Sequence, residues 1–247
     1  MKKKQIIFLI LGIFLLQNCQ QSADVSPSGN GTAGSLARFA LGEGILYTVS
    51  TFDMNVFDIK NIPATPKMLK TINLGFGAET IFPYKNMLFI GTTTGMKIYD
   101  NQDPTNPKLL STYTHIFSCD PVVVQGDYAF VTLRSGTNCQ RGQNSLDIVD
   151  IKDPVNPKLK NSIRMSNPHG LAVDGKKLFV CEGDYGLKSY DITDPLNPVF
   201  VESLGDVISY DVIPNSNKLI VTGKNGIYQY DYSGTNGLKL ISKIPIE

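Results

Sequence analysis

The segment Leu146-Asp147-Ile148-Val149-Asp150, followed by the turn Asp153-Pro154-Val155-Asn156-Pro157, decides the fold of this chain. A short apolar run ends in an aspartate, and a proline turn then redirects the backbone. The run recurs five times, and successive aspartates are 42, 50, 41 and 40 residues apart. A period of about 40 to 45 residues is typical of a four-stranded propeller blade. The five aspartates are Asp58, Asp100, Asp150, Asp191 and Asp231.

Each repeat contains four strand-like runs. Two apolar runs joined by a tight linker precede each aspartate run, and a fourth run, such as Lys108-Leu109-Leu110, follows the turn. The sequence therefore predicts an all-β protein, a β-propeller of about five four-stranded antiparallel blades that fills residues 35–247 as one domain. Proline lacks an N–H, and Asp and Asn bond to nearby backbone, so the repeat aspartates are expected to support turns and not to bind a ligand.

The two ends of the repeat array leave the mode of closure open. The first blade begins with its own innermost strand, and the last ends with its own outermost strand, Leu240-Ile241-Ser242-Lys243-Ile244. Ring closure is then expected to depend on side-chain packing between the first and fifth blades. An open arc, or a sixth blade supplied by a partner, is the alternative.

The N-terminus has the pattern of a secretory signal. Residues 1–18 carry three lysines and then an apolar run, Ile6 to Leu16, which is too short to span a bilayer. Leu16-Gln17-Asn18-Cys19 resembles the lipobox of bacterial lipoproteins, which implies lipidation of Cys19; Asn18 stands where Gly, Ala or Ser is usual. The alternative is an ordinary cleaved signal with an incidental cysteine. Residues 19–34 are rich in small polar residues and are expected to form a flexible tether.

The charge of the chain excludes one class of partner. The chain has 23 basic and 22 acidic residues, and removal of the three lysines of the signal leaves a formal charge of −2. A nearly neutral protein without a basic cluster has no electrostatic basis for nucleic-acid binding.

Three cysteines remain for the propeller. Cys119 precedes the innermost strand of the third blade, and Cys139 lies in a connection of that blade about nine residues longer than its counterparts. Both connections emerge at the same end of a blade, so a Cys119–Cys139 disulfide is expected outside the cytoplasm. Three free thiols, or pairing with Cys181, are the alternatives. Zinc is disfavoured because no Cys-x-x-Cys is present and the histidines lack ligand spacing, so neither a metal nor a cofactor is predicted.

Polar residues recur where each innermost strand begins. The second strands can be aligned on Thr48, Ile90, Val131, Val180 and Val221. The residue eleven positions before each of these is expected to lie at the axial mouth, where propellers bind ligands. These five residues are Ala37, Glu79, Asp120, His169 and Tyr210. Arg134, Glu182 and Asp184 are predicted to lie nearby in the connections between second and third strands. The alternative is that such residues bond exposed backbone groups or meet water.

The sequence leaves the chemistry of this mouth open. His169 is interpretable as a general base, as a weak metal ligand with Asp120 and Glu79, or as a turn residue bonded to a carbonyl. No G-x-S-x-G, H-E-x-x-H, phosphate-binding glycine loop or EF-hand calcium loop is present. This absence disfavours an enzyme, although propeller enzymes scatter their catalytic groups over several blades.

The repeats resemble the LVIVD-repeat family, whose members are propellers of bacterial and archaeal cell-surface proteins. The resemblance is closest at Leu146 to Asp150 and spans roughly residues 36–247. It implies a fold but supplies no catalytic set. We therefore expect a lipid-anchored lipoprotein of the cell envelope, at the outer membrane or cell surface, whose propeller is a scaffold that binds a protein or a glycan. The alternatives are an envelope hydrolase or lyase with its site at the axial mouth, and a purely structural role.

Overall fold

The computed structural model describes residues 34–60, 65–114, 121–135, 144–234 and 237–246. These residues form twenty β-strands. Blade 1 contains β1 (Phe39–Gly42), β2 (Ile45–Val49), β3 (Asp53–Asp58) and β4 (Lys67–Asn73). Blade 2 contains β5 (Ala78–Tyr84), β6 (Met87–Thr92), β7 (Gly95–Asp100) and β8 (Lys108–Thr114).

The remaining three blades repeat the pattern. Blade 3 contains β9 (Val122–Gln125), β10 (Tyr128–Leu133), β11 (Ser145–Asp150) and β12 (Lys158–Arg164). Blade 4 contains β13 (Leu171–Asp174), β14 (Lys177–Cys181), β15 (Leu187–Asp191) and β16 (Val199–Leu204). Blade 5 contains β17 (Ser209–Asn215), β18 (Lys218–Gly223), β19 (Gly226–Asp231) and β20 (Lys239–Pro245).

Each blade is an antiparallel meander of four consecutive strands. The first strands of neighbouring blades contact one another, β1 with β5, β5 with β9, β9 with β13 and β13 with β17. The sheets thus stand around a common axis, with first strands innermost and fourth strands on the outside. The predicted five-bladed β-propeller is confirmed.

The hydrophobic core lies between the blades. Strands with two apolar faces fill the space between one sheet and the next. Tyr47 and Met54 of blade 1, for example, pack with Ile81 and Leu88 of blade 2, and all four side chains are buried. Comparable clusters join blade 2 to blade 3, blade 3 to blade 4, and blade 4 to blade 5.

The repeat aspartates support turns, as predicted. Each ends the third strand of its blade, and its Oδ1 accepts a hydrogen bond from the backbone N–H two residues further on, at 2.6 to 3.0 Å. The Asp-Pro-x-Asn-Pro turns repeat this bond: Asp153 Oδ1 accepts from Val155 N at 3.1 Å, and Asp194 Oδ1 from Leu196 N at 3.0 Å. These bonds position the fourth strand of each blade.

Several predictions concern residues outside the described part of the chain. They are the signal of residues 1–18, the lipidation of Cys19, the Cys119–Cys139 disulfide, and the placement of Asp120. Cys181 is described and is a free thiol, fully buried between blades 4 and 5. No helix among the described residues is suited to crossing a bilayer.

Candidate functional site

The entry positions of the innermost strands converge at one end of the axis. A cavity of about 190 Å³ opens there. Its lining comes from blades 1 to 4 and contains three of the predicted residues, Glu79, Arg134 and His169. The other lining residues are Leu36, Arg38, Thr80, Pro121 and Pro168. We call this cavity the axial mouth.

Two of the residues that begin the innermost strands lie in β-bulges at this end of the axis. Glu79 in β5 and Tyr210 in β17 are each the extra residue at a shift in the register with the second strand of the blade. A bulge re-aims the side chain of the inserted residue, which is why bulges are frequent beside binding sites. Tyr210 is 38% exposed and its ring lies beside that of His169, with centroids 5.4 Å apart.

The backbone of His169 is held by hydrogen bonds to blade 3 and to its own blade 4. Its N–H donates to Cys181 O at 2.7 Å, and its carbonyl accepts from Thr132 Oγ1 of blade 3 at 2.7 Å. The backbone of His169 therefore has a defined position at the entry of β13. The three roles left open by the sequence, general base, weak metal ligand and turn residue bonded to a carbonyl, stay predictions.

The electrostatics of His169 keep it neutral. Arg134 Nη1 lies 3.4 Å from His169 Nε2. Since a guanidinium only donates hydrogen bonds, Nε2 accepts and the ring proton resides on Nδ1. Burial, reinforced by the Arg134 charge and opposed by Asp184, lowers the pKa of His169 from 6.5 to about 4.

Gly183 allows the loop after β14 to lie against this histidine. Its φ is +55°, and a Cβ there would come within 2.6 Å of Asn167 Nδ2 and 2.9 Å of His169 Nε2. Gly183 N also donates to Ser209 O at 3.0 Å, which ties the loop to blade 5. Any larger residue would push the loop or the imidazole away.

Glu182 and Asp184 differ in their placement. Glu182 is fully buried; it pairs with Lys188 and accepts a hydrogen bond from Ser166 N at 2.8 Å. Its carboxylate thus ties blade 4 to the segment that connects blades 3 and 4, and it does not line the axial mouth. Asp184 is exposed and acts on the mouth through its charge on His169.

Sequence reasoning missed Arg38. Its side chain lines the axial mouth, one register position beyond Ala37, so that the mouth carries arginines from blades 1 and 3. The alignment of the second strands could have found it, because Arg38 lies ten residues before Thr48 and the predicted position, Ala37, lies eleven residues before it. Arg38 was missed because three of the four residues at the equivalent position in the other blades, among them Pro121 and Gly170, are uncharged.

Asp211 was also missed, and it is the register equivalent of Arg38 in blade 5. Its Oδ1 accepts from Ser35 Oγ at 3.2 Å, and Ser35 Oγ accepts from Leu171 N at 2.7 Å. Burial raises the pKa of Asp211 from 3.8 to about 6. Gly170 makes room for this carboxyl, since a Cβ there would lie 2.1 Å from Oδ1.

The opposite end of the axis has a different character. A cavity of about 330 Å³ lies there among the hairpins that join first to second strands. Its walls are largely apolar, with Phe82, Val124, Val173 and Ile213 from four blades. Of the described side chains predicted to form a site, Glu79, Arg134 and His169 line the cavity at the other end. Within the described residues, no group of three or more His, Cys, Asp or Glu is arranged to hold a metal ion.

Comparison with known families decides the repeat class. The family model of the LVIVD repeat matches residues 118–164, which include the third strand of blade 3 and its proline turn. The chain is a five-bladed propeller that carries an LVIVD repeat at residues 118–164. This confirms the resemblance of the sequence motif. No curated protein matches the chain.

Solved structures share the fold at low sequence identity. The computationally designed Ika8 protein is 14% identical, with a TM-score of 0.60 over 83% of this chain and 60% of its own. A protein from Lactobacillus plantarum is 14% identical, with a TM-score of 0.66 over 87% of this chain and 71% of its own. Hsv2p of Kluyveromyces lactis is 14% identical, with a TM-score of 0.54 over 82% and 60%. The LVIVD-repeat propeller thus spans about 60% of the length of two of these chains, and the likeness concerns the fold alone.

Proposed function

We propose that this LVIVD-repeat propeller is a binding module of the cell envelope, anchored to a membrane through a lipidated Cys19. The axial mouth binds a protein or a glycan ligand. A propeller with LVIVD repeats suits a binding or scaffold role. The observation that carries the proposal is the convergence of Arg38, Glu79, Arg134 and His169 on one cavity from four different blades.

The chemistry of the mouth favours recognition over turnover. A general base works best with a pKa near the working pH. His169, with a pKa of about 4, accepts a proton poorly at neutral pH but is a well-defined hydrogen-bonding group. Guanidinium groups offer several donors in a fixed geometry, which suits carboxylate and hydroxyl groups of a ligand.

The size of the mouth indicates what enters it. Sites that enclose a whole small molecule measure roughly 300 to 1,000 Å³. The axial mouth measures about 190 Å³ and thus holds one terminal group of a ligand. The rest of such a ligand would lie across the surrounding loops, where Tyr210 and Asp184 are exposed. This favours a macromolecular ligand.

The test of binding uses an array of envelope glycans and, in parallel, blots of separated envelope proteins. The probe is the chain with alanine at Glu79, Asp120, Arg134 and His169, compared with wild type and with Arg164→Ala, which removes an exposed arginine of the outer strand β12. We expect the signal of wild type and of Arg164→Ala to be alike and that of the fourfold variant to be lost. Equal signals from all three proteins would contradict the proposal.

The same variants address the enzymatic alternative. An envelope hydrolase or lyase would turn over members of a glycan or ester panel, and the fourfold variant would lose that turnover. A binding module shows none in either protein. For the anchor, Cys19→Ser should move the protein from the membrane fraction to the soluble fraction, and retention in the membrane would refute lipidation of Cys19.

A further inference from the structure

The blades of this propeller meet through a junction that is repeated four times. Each blade turns one side towards the blade before it, here called its rear face, and the other side towards the blade after it, its forward face. In the first junction, Tyr47 and Met54 lie on the forward face of blade 1, and Ile81 and Leu88 on the rear face of blade 2. The other three junctions use the same register positions.

The rear face of blade 1 is uncovered. Phe39 pairs with Thr48 in the position that begins the rear face of every blade, and it is 55% exposed. Leu41 on the same side of β1 is 52% exposed. Leu46 and Phe57 continue this face and are partly exposed. The equivalents of Phe39, each 0% exposed, are Ile81, Val122, Leu171 and Val212.

The forward face of blade 5 is uncovered in the same way. Ile227 lies four residues before the repeat aspartate and is 39% exposed. Ile213, Ile220 and the uncharged Gln229 lie on the same face and are partly exposed. The equivalents of Ile227, each 0% exposed, are Met54, Met96, Leu146 and Leu187.

The chain does not close this seam by packing one face on the other. Gly34 and Ser35 occupy its inner edge, where Ser35 Oγ donates to Asp211 and a Cβ on Gly34 would lie 3.2 Å from Ile213 Cγ1. They therefore stand where β1 would otherwise pack on β17. No apolar cluster joins blades 1 and 5 within the described part of the chain, in contrast to the four other junctions.

We infer that the two faces bind each other between two copies of this chain. The forward face of blade 5 and the rear face of blade 1 are the two halves of the junction that the chain builds four times, so a second copy offers the matching half at each end. The side chains that form the two faces are uncharged, so their burial needs no ionic partner. They are Phe39, Leu41, Leu46, Phe57, Ile213, Ile220 and Ile227.

The contact is heterologous, because two different surfaces meet. Such contacts extend head to tail until they close into a ring. Each contact buries apolar surface that is exposed in the single chain, which is the main driving force of association. Three residues of the axial mouth, Glu79, Arg134 and His169, belong to blades 2, 3 and 4 and not to the two faces, whereas Arg38 precedes Phe39 in blade 1.

The test blocks one face at a time in the full chain purified in mild detergent. Phe39→Arg blocks the rear face and Ile227→Arg the forward face. Leu159→Arg is the control, at a 48% exposed position of the outer strand β12. Molar mass is measured by light scattering over a concentration series, and circular dichroism checks the fold; Phe39→Ser and Ile227→Ser replace any arginine variant that unfolds.

We expect wild type and Leu159→Arg to reach at least twice the mass of one chain, and each face variant alone to remain a monomer. An equal mixture of the two face variants should form a complex of two chains, because each retains the half that the other lacks. Monomeric wild type at every concentration would overturn the inference, as would undiminished assembly of the single variants or a mixture that stays monomeric. Monomeric wild type whose melting temperature falls with either substitution would show that the faces close within one chain, which also overturns it.

Discussion

The repeat aspartates illustrate how one residue can hold a blade. Asp150, Asp191 and Asp231 accept hydrogen bonds at the end of a third strand that hold the pKa of each carboxyl below its usual value of 3.8. The largest cause is the backbone N–H of Lys152 for Asp150, the side chain of Thr193 for Asp191 and the side chain of Lys218 for Asp231. A carboxyl with a depressed pKa in the folded state stabilises the protein above its unfolded pKa. That contribution is lost as the pH falls through the folded pKa.

Asp191 gives the cleanest test of this turn. Because its carboxylate accepts from Thr193 N at 2.6 Å, we expect Asp191→Ala to lower the melting temperature at pH 7 by a few degrees. The difference from wild type should shrink as the pH falls well below 3.8, where the carboxylate is protonated. Thermal unfolding followed by circular dichroism at several pH values measures both effects. Asp191→Asn keeps an acceptor oxygen, so its melting temperature should fall less than that of Asp191→Ala. An unchanged melting temperature in Asp191→Ala would argue against a structural role of this carboxylate.

His169 permits a direct measurement of the mouth's electrostatics. NMR titration in a His115→Gln background, which leaves one histidine, should give His169 a pKa of about 4. Arg134→Gln should raise that pKa towards 6.5, because the neighbouring positive charge disfavours the imidazolium. Arg134→Lys keeps a charge and should raise it less.

The sign of the linked effect on stability can be stated. A histidine whose folded pKa lies below its unfolded pKa binds fewer protons in the folded state, so its contribution to stability falls as the pH drops from about 6.5 towards 4. A His169 pKa near 6.5 in wild type would mean that the ring is solvated and not placed against Arg134.

At the scale of elements, side chains of outer strands tie each blade to the next. Ser111 Oγ in β8 donates to Pro154 O in the turn of blade 3 at 2.5 Å, and Asn161 Nδ2 in β12 donates to Leu196 O in blade 4 at 2.8 Å. The proline turns therefore serve two blades. They orient their own fourth strand and offer a carbonyl to the preceding blade.

Ser111→Ala removes one such tie and leaves a carbonyl of the neighbouring blade without this donor. We expect the free energy of unfolding to fall by about 1 kcal/mol, the usual net value of one hydrogen bond. Ser242→Ala, in the exposed outer strand of blade 5, should change it by less than about 0.5 kcal/mol. Denaturant unfolding compares the two; equal losses would show that the bond to Pro154 contributes nothing specific.

The sequence predicted the elements well because each carries a local signal. Alternating apolar residues mark the strands, and Asp, Asn, Gly and Pro mark the turns, so the five third strands end at the predicted aspartates. The β-bulge between third and fourth strands of every blade was not predicted. An inserted residue such as Lys160 or Val201 changes the pairing with the neighbouring strand without changing the composition of its own, so no local pattern reveals it.

At the scale of the whole molecule, the exposed seam has a consequence for stability. Ile81→Ala truncates a fully buried side chain between blades 1 and 2 and should cost about 2 to 5 kcal/mol. Phe39→Ala, at the equivalent position of blade 1, should cost less than about 0.5 kcal/mol in dilute, monomeric protein. Denaturant unfolding at low concentration checks both. A large loss for Phe39→Ala would contradict an uncovered rear face.

The site was predicted only in part, and the reason is geometric. Radial packing of repeats brings register positions together, so the repeat period was enough to place Glu79 and His169 at one mouth with Arg134. The hydrogen-bond and ion-pair partners of an individual side chain do not follow the repeat period. Glu182 is buried with Lys188 of its own blade and Ser166 N of the connection from blade 3, and no spacing in the sequence predicts those partners.

The most direct test of the central claim is the glycan array and envelope-protein blot probed with wild type, the fourfold alanine variant of Glu79, Asp120, Arg134 and His169, and Arg164→Ala. If the convergence of blades creates the binding surface, wild type and Arg164→Ala should label the same spots or bands, and the fourfold variant should label none of them. Labelling by the fourfold variant equal to that of wild type, with its fold intact by circular dichroism, would contradict the assignment of binding to the axial mouth.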